Sequence, residues 1–117
     1  MIEETEAYGL RFRFPALDTA VGACLRDYGE FARPELDFLL AQADAPGGTF
    51  LDVGGHIGSV SLPFAAQRPG WRVITIEAAY PLANLILEGV AANGLSNVEV
   101  LSVAAGEAEG IADFPAI

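Results

Sequence analysis

Positive charge is scarce in this sequence. Six basic residues stand against sixteen acidic ones, which gives a formal net charge of −10 over 117 residues. A surface this acidic repels the phosphates of DNA and RNA and the headgroups of an anionic membrane. The charge balance therefore predicts a protein with no nucleic-acid partner and no membrane partner.

Long apolar runs and an amino-terminal targeting signal are missing as well. The first ten residues contain no basic stretch followed by an apolar one. No later stretch reaches the roughly 18 consecutive apolar residues that a membrane span requires. These absences predict a soluble, cytoplasmic protein.

Cysteine and histidine occur once each, as Cys24 and His56. A single cysteine forms no disulfide within the chain, so we interpret Cys24 as a small buried hydrophobic side chain. One cysteine and one histidine do not make a cluster of the ligands that zinc prefers. The sequence therefore predicts no metal site.

Apolar side chains are abundant, since 52% of the residues are hydrophobic and 19% are charged. That is enough for one packed domain, whereas the chain is too short for two. Periodicity, proline and glycine predict the following elements: strand 10–14, connector 27–33, helix from Pro34 with apolar positions 36, 39, 40 and 43, strand 49–53, helix 57–67, strand 71–76, helix from Pro81 to Asn93-Gly94, strand 97–103 and a short strand 111–114.

Strands that alternate with helices in this way predict a parallel, doubly wound α/β sheet of the Rossmann-like kind. We divide the chain into an extension over residues 1–48 and a partial Rossmann-like domain over residues 49–117. Pro63 lies inside the helix predicted at 57–67, which leaves two alternatives. Either the helix begins late enough for Pro63 to lie in its first turn, or it is kinked there.

The segment 52–58 directly follows a predicted strand, and ligands of open α/β sheets bind beyond the carboxyl ends of the strands. Gly54 and Gly58 allow a sharp turn and a close approach of the backbone to a ligand. The helix that follows is expected to offer free N–H groups to a carboxylate or phosphate. Glu77 ends the next strand, where its carboxylate is placed to accept both hydroxyls of a ribose.

The type of nucleotide follows from the loop residues. The dinucleotide fingerprint G-x-G-x-x-G, aligned on Gly55 and Gly58, requires a glycine where this chain has Val53. Neither a P-loop nor a G-x-S-x-G nucleophile motif is present. Asp52 would repel a pyrophosphate and attract the ammonium group of S-adenosylmethionine. The pattern D-x-G-x-x-x-G therefore favours S-adenosylmethionine over NAD as the cofactor.

About half of the chain resembles the FkbM-type, class I methyltransferases. The resemblance is carried by a D-V-G-x-x-I-G loop, an acid-ended second strand, a helix that finishes in N-G-L and an N-V-x-V segment. It implies that Asp52, Gly54 and Gly58 line the methionine end of the cofactor. It further implies that Glu77 holds the ribose, with Ala78 and Ala104 near the adenine.

Two features depart from that family. Gly55 and His56 stand where the family usually has Ala-Asn, and we interpret both as cofactor-loop residues. A role of His56 as a general base, or as a solvated loop residue, stays open. The family also continues with a strand carrying an I-K-I-D-V-E-G-like motif, which this sequence does not contain, so no catalytic residue is assigned.

The resemblance implies a sheet that contains only the 3-2-1 side of the family's strand order. The glycine-loop strand would then have an unpaired edge, which predicts self-association. We expect a methyltransferase that transfers a methyl group to an oxygen of a small molecule or sugar-like acceptor. The alternatives are an NAD(P)-binding half-domain of an oxidoreductase and a non-catalytic remnant that acts as a binding module.

Overall fold

The computed structural model describes residues 1–106, which form two small sheets and four helices. In chain order the elements are β1 (Ile2–Ala7), β2 (Leu10–Pro15), α1 (Val21–Tyr28), α2 (Arg33–Gln42), β3 (Thr49–Val53), α3 (Ser61–Gln67), β4 (Arg72–Ile76), α4 (Tyr80–Ala92) and β5 (Val98–Leu101). This order confirms the mixed α/β class predicted from the sequence. None of the helices in the described part is long and apolar enough to cross a membrane.

The main sheet is parallel, in the order β3-β4-β5. This is the 3-2-1 side of the predicted strand order, so the prediction is confirmed. Within residues 1–106, β3 pairs only with β4 and leaves its other edge open. Because all three strands run in the same direction, their carboxyl ends lie at the same end of the sheet. Gly54 and Glu77 follow β3 and β4 there.

The second sheet is an antiparallel hairpin of β1 and β2. Tyr8 and Gly9 form its two-residue turn, with φ values of 54° and 73°. Positive φ at both central positions matches the turn geometry whose twist suits paired strands. Phe12 and Phe14 of β2 are fully buried against α1 and α4, which fixes the hairpin on the helical side of the molecule.

The buried side chains form two adjoining clusters. The first joins the hairpin and α1 to α4, with Leu25 and Ile86 fully buried beside Phe12. The second packs α2 and α3 on the sheet through residues that include Leu36 and Phe64. Burial of side chains of this size contributes about 1.5–3 kcal/mol each, so these contacts hold the elements around the glycine loop in place.

Several boundaries differ from the sequence prediction. The segment before Gly29, partly predicted as a connector, is helix α1. Helix α3 begins at Ser61 rather than at residue 57, so Pro63 lies in its first turn, as one of the two alternatives required. β5 is shorter than the predicted strand 97–103. The strand predicted at 111–114 lies outside the described residues.

One face of the main sheet carries apolar side chains without a covering layer in the described residues. The helices pack on the face that carries Val73 and Thr75. On the other face Leu51 is 54% exposed and Val53 is 58% exposed. Parallel sheets are normally covered on both faces, so this bare sheet face is an unusual feature of the chain.

Candidate cofactor-binding site

The glycine loop, residues 54–58, turns back over the end of β4. Gly54 and Gly58 adopt φ values of 79° and 85°, a conformation that is strained for residues with a side chain. The N–H groups of Gly54 and Gly55 both donate to the Ile76 carbonyl, at N–O distances of 2.7 and 3.0 Å. A side chain at Gly54 would meet nothing within 4 Å, so its outer surface is free for a ligand.

Gly55 is required for a different reason. A Cβ atom placed on Gly55 would lie 2.0 Å from the Thr75 Oγ1, which is an impossible contact. The fully buried Thr75 side chain of β4 therefore occupies the space that an alanine would need. This explains why glycine stands where the resembled family usually has alanine. The Thr75 side chain takes the space that the alanine Cβ would occupy.

Glu77 is tied to the loop by its carboxylate. Its Oε1 accepts the His56 N–H at 2.8 Å, and its Oε2 accepts the Ala79 N–H at 2.9 Å. Each oxygen keeps a further lone pair, so the carboxylate can still accept two hydroxyl groups. The backbone bonds fix its orientation, which lowers the entropic cost of binding a ligand there.

Asp52 is a half-buried residue of β3, and its carboxylate accepts a short hydrogen bond from the Ser61 hydroxyl. Burial raises the pKa of Asp52 above the ordinary aspartate value; the Ser61 bond opposes this effect and the nearby Glu77 carboxylate adds to it. Asp52 of β3 lies beside Thr75 of β4, two residues before Glu77, so both acids lie near the carboxyl ends of their strands. The structure therefore brings Asp52, the glycine loop and Glu77 together, as the sequence predicted.

The loop offers few donors to an anion. Four of its N–H groups are engaged within the chain, namely those of Gly54, Gly55, His56 and Gly58. A pyrophosphate site depends on such groups being free. The two flanking carboxylates accept no hydrogen bond from an arginine in the described residues. The site therefore suits a cationic group and disfavours a phosphate.

Most of the N–H groups in the first turn of the helix after the loop are engaged or absent. The Leu62 N–H donates to the Gly58 carbonyl, and the Phe64 N–H donates to the Val60 carbonyl. Pro63 has no N–H. These three positions of α3 therefore offer no free N–H group, because Leu62 and Phe64 donate to residues that precede the helix.

His56 adopts φ 58° although it is not a glycine, which costs roughly 1–3 kcal/mol of backbone strain. Its Nδ1 is buried and has no hydrogen-bond partner among the described residues. The residue also lines a groove between α4 and the segment 16–20. His56 is thus a residue of the glycine loop whose side chain also lines the neighbouring groove.

The two alanines implied for the adenine differ in position. Ala78 is half-buried next to Glu77, whereas Ala104 is exposed beyond β5. Sequence reasoning did not identify Ser61 or Thr75, which hold Asp52 and the loop. A hydroxyl residue at the helix start after a glycine loop is a weak sequence signal for Ser61. No sequence pattern indicates Thr75.

Similarity searches find methyltransferases. The chain is 35% identical over 66 residues to the ribosomal RNA small subunit methyltransferase G of Nitrosospira multiformis, with 56% of this chain and 31% of the relative covered. It is 33% identical over 66 residues to the protein of that name from Laribacter hongkongensis, with 56% and 32% covered. The chain thus spans about a third of the length of these relatives. No protein-family profile matches it.

Among solved structures, a putative protein-L-isoaspartate O-methyltransferase from Plasmodium falciparum, in complex with S-adenosyl-L-homocysteine, is similar over 57% of this chain and 35% of its own. The identity is 19% and the TM-score 0.46, a similarity too low to establish the fold. The predictions of a small-molecule acceptor and of no nucleic-acid partner are contradicted, because the curated relatives are named for ribosomal RNA. The chain is similar in sequence to methyltransferases over a little more than half of its length.

Proposed function

We propose that this chain binds S-adenosylmethionine at the glycine loop and forms part of a methyltransferase that acts on RNA. The observation that supports this most is the pair of carboxylates, Asp52 and Glu77, that flank a loop in which four of the five N–H groups are engaged. Such a site attracts a ligand with an ammonium and a sulfonium group and repels a pyrophosphate. NAD binding is disfavoured for the same reason.

In this proposal each residue of the site contacts a different part of the ligand. Glu77 accepts the ribose hydroxyls with the lone pairs that its backbone bonds leave free. Asp52 attracts the ammonium group, and the absence of a side chain on Gly54 lets the methionine end approach the backbone. Gly55 and His56 complete the loop, and Ala78 and Ala104 border the adenine.

When bound, S-adenosylmethionine supplies an electrophilic methyl group on its sulfonium sulfur. The described residues orient that ligand through fixed hydrogen-bond partners, and none of them is assigned as a catalytic base. The methyl acceptor is proposed to be RNA because the curated relatives carry that substrate in their names. The FkbM type is proposed on the glycine-loop motif alone, since the relatives found are of another type.

Calorimetry tests the cofactor. We expect S-adenosylhomocysteine to bind more tightly than NAD. Glu77→Ala should weaken S-adenosylhomocysteine by roughly 10- to 100-fold, because charge-assisted hydrogen bonds are worth about 1.5–3 kcal/mol. The affinity of Glu77→Gln for S-adenosylhomocysteine should fall between those of the parent protein and Glu77→Ala, since the amide keeps one acceptor oxygen.

Glu99→Ala is the matched control. Glu99 is an exposed acid on β5 that pairs with Arg72, and exposed ion pairs contribute little. Its removal should leave binding unchanged, and thermal melts of each variant verify folding. Tighter binding of NAD, or equal affinity in the folded Glu77→Ala variant, would contradict the proposed function.

A further inference from the structure

A groove of about 1100 Å³ lies between α4 and the segment 16–20 that follows the hairpin. His56 of the glycine loop is one of its lining residues. The groove therefore adjoins the glycine loop, and a group seated in it would lie near the proposed cofactor site.

Three side chains on one face of α4 line this groove: Tyr80, Asn84 and Glu88. They are spaced four residues apart, so they form a single stripe along the helix. The Tyr80 ring is 69% exposed and available for stacking. The Asn84 side chain is exposed, and its amide offers a donor beside an acceptor.

Apart from the amino terminus at Met1, the charges around the groove are negative or already paired. Glu88 Oε1 accepts a hydrogen bond from Arg13 at 2.8 Å, which leaves Oε2 as a free acceptor. On the opposite wall, Asp18 accepts the N–H groups of Ala20 and Gly22 and is held in place by them. An anionic phosphate is repelled here, whereas an uncharged ring with an exocyclic amine finds acceptors.

Arginines elsewhere do not change this balance. Of the six arginines, four pair with acidic side chains, Arg68 donates to backbone carbonyls, and Arg11 is a single exposed cation without an acidic partner in the described residues. In the part of the chain that the structure describes, no cluster of free cations is available for the phosphate backbone of RNA. This part of the protein therefore offers more partners to an RNA base than to the phosphate backbone.

We propose that the groove holds one unpaired nucleobase of the acceptor RNA, beside the bound cofactor. Tyr80 stacks on the base, the Asn84 amide pairs with a donor–acceptor edge, and Glu88 accepts from an exocyclic amine. These are the contacts by which proteins read single-stranded bases. The inference rests on the proposed function, since that function supplies RNA as the acceptor.

Cytidine is the probe, because it presents an exocyclic amine next to a ring acceptor and lacks the adenosine part of the cofactor. The full chain is first saturated with S-adenosylhomocysteine, and cytidine, cytidine monophosphate and a single-stranded oligocytidylate are then titrated by two-dimensional NMR. We expect shifts at Tyr80, Asn84 and Glu88, with the monophosphate binding no more tightly than cytidine. The affinity for cytidine should not depend on salt, because no phosphate is contacted.

Asn84→Ala should weaken cytidine roughly tenfold, as expected for the loss of a paired amide. Gln67→Ala, which removes an exposed amide from α3 outside the groove, should not. Absence of groove shifts with both cytidine and the oligonucleotide, or equal affinity in the folded Asn84→Ala variant, would overturn the inference. Failure of S-adenosylhomocysteine to bind, with the groove shifts intact, would instead overturn the proposed cofactor.

Discussion

Asp52 makes the site sensitive to pH at the scale of a single residue. Burial holds the pKa of Asp52 above its ordinary value, so the carboxyl becomes protonated at a higher pH than an exposed aspartate. A neutral carboxyl does not attract the ammonium group of S-adenosylhomocysteine. We therefore expect the affinity to fall on acidification, starting at a pH above the ordinary titration range of aspartate, as calorimetry over a pH series would show.

The variant Asp52→Asn should bind weakly and show no such pH dependence. Asp44→Asn, at an exposed position before β3, is the control and should behave as the parent protein. The raised pKa also means that ionising Asp52 lowers stability as the pH rises through its folded value. Equal pH profiles for the parent and Asp52→Asn would show that another group controls binding.

The contrast between Asp52 and Gly55 shows what the sequence reveals about single residues. Asp52, Gly54 and Glu77 stand at strand ends, and that placement follows from local patterns alone. The reason for Gly55 lies in Thr75 on a neighbouring strand, whose side chain fills the space beneath the loop. Such a contact joins residues that are far apart in sequence, so it could not be predicted before the strands were aligned.

At the scale of elements, apolar periodicity predicted those that bury a regular face. Strands β3 and β4 and helix α4 have nearly the predicted bounds, because each follows a proline or glycine turn and carries a clear apolar pattern. The stop at Asn93-Gly94 is also confirmed, with Gly94 at φ 61°. These signals are local and do not depend on the rest of the fold.

The missed elements bury little of their own surface. Strand β1 buries only Ala7, so its acidic sequence shows no apolar alternation. Helix α1 buries only Gly22 and Leu25 and has no side-chain hydrogen bond at its N-cap, Ala20. β1 is held by pairing with β2, and α1 is held by packing on the hairpin, so neither element shows a strong pattern of its own in the sequence.

Tyr8 joins the hairpin to the segment before α2. Its hydroxyl donates to the Phe31 carbonyl and accepts the Phe31 N–H, both at 2.9 Å. Burial raises the pKa of Tyr8, so the hydroxyl keeps its proton at neutral pH. Tyr8→Phe would leave two backbone groups unpaired and should lower the free energy of unfolding by about 1–3 kcal/mol in urea titrations.

Tyr28→Phe is the matched control for this element, because the Tyr28 side chain is 77% exposed. We expect its unfolding curve to overlay that of the parent. A loss in Tyr8→Phe no larger than in Tyr28→Phe would mean that the hairpin is held on the rest of the chain by its buried phenylalanines alone.

The bare sheet face has its effect at the scale of the whole molecule. Exposed apolar groups gathered on one face bind hydrophobic dyes without any unfolding. We expect the native chain to enhance the fluorescence of Nile red, a neutral dye that the net charge of −10 does not repel. The double variant Leu51→Thr, Val53→Thr should reduce this signal, because both side chains are more than half exposed on that face.

Phe38→Thr is the control, since Phe38 is 63% exposed on α2 and lies away from the sheet. It should leave the dye signal nearly unchanged. A signal that appears only together with the thermal transition would show that the dye binds the unfolded chain and that the sheet face is not accessible in the native state.

The hairpin closes against the far end of α4, and this has a consequence for the order in which the protein forms. The Asn93 side chain bonds to the N–H and carbonyl of Arg11, across a separation of 82 residues in the chain. The hairpin is synthesised before α4, so Phe12 and Phe14 can pack on α1 first and reach their partners on α4 only after that helix has been made. During synthesis these two rings therefore stay partly exposed until α4 is complete, which makes them natural targets for chaperones.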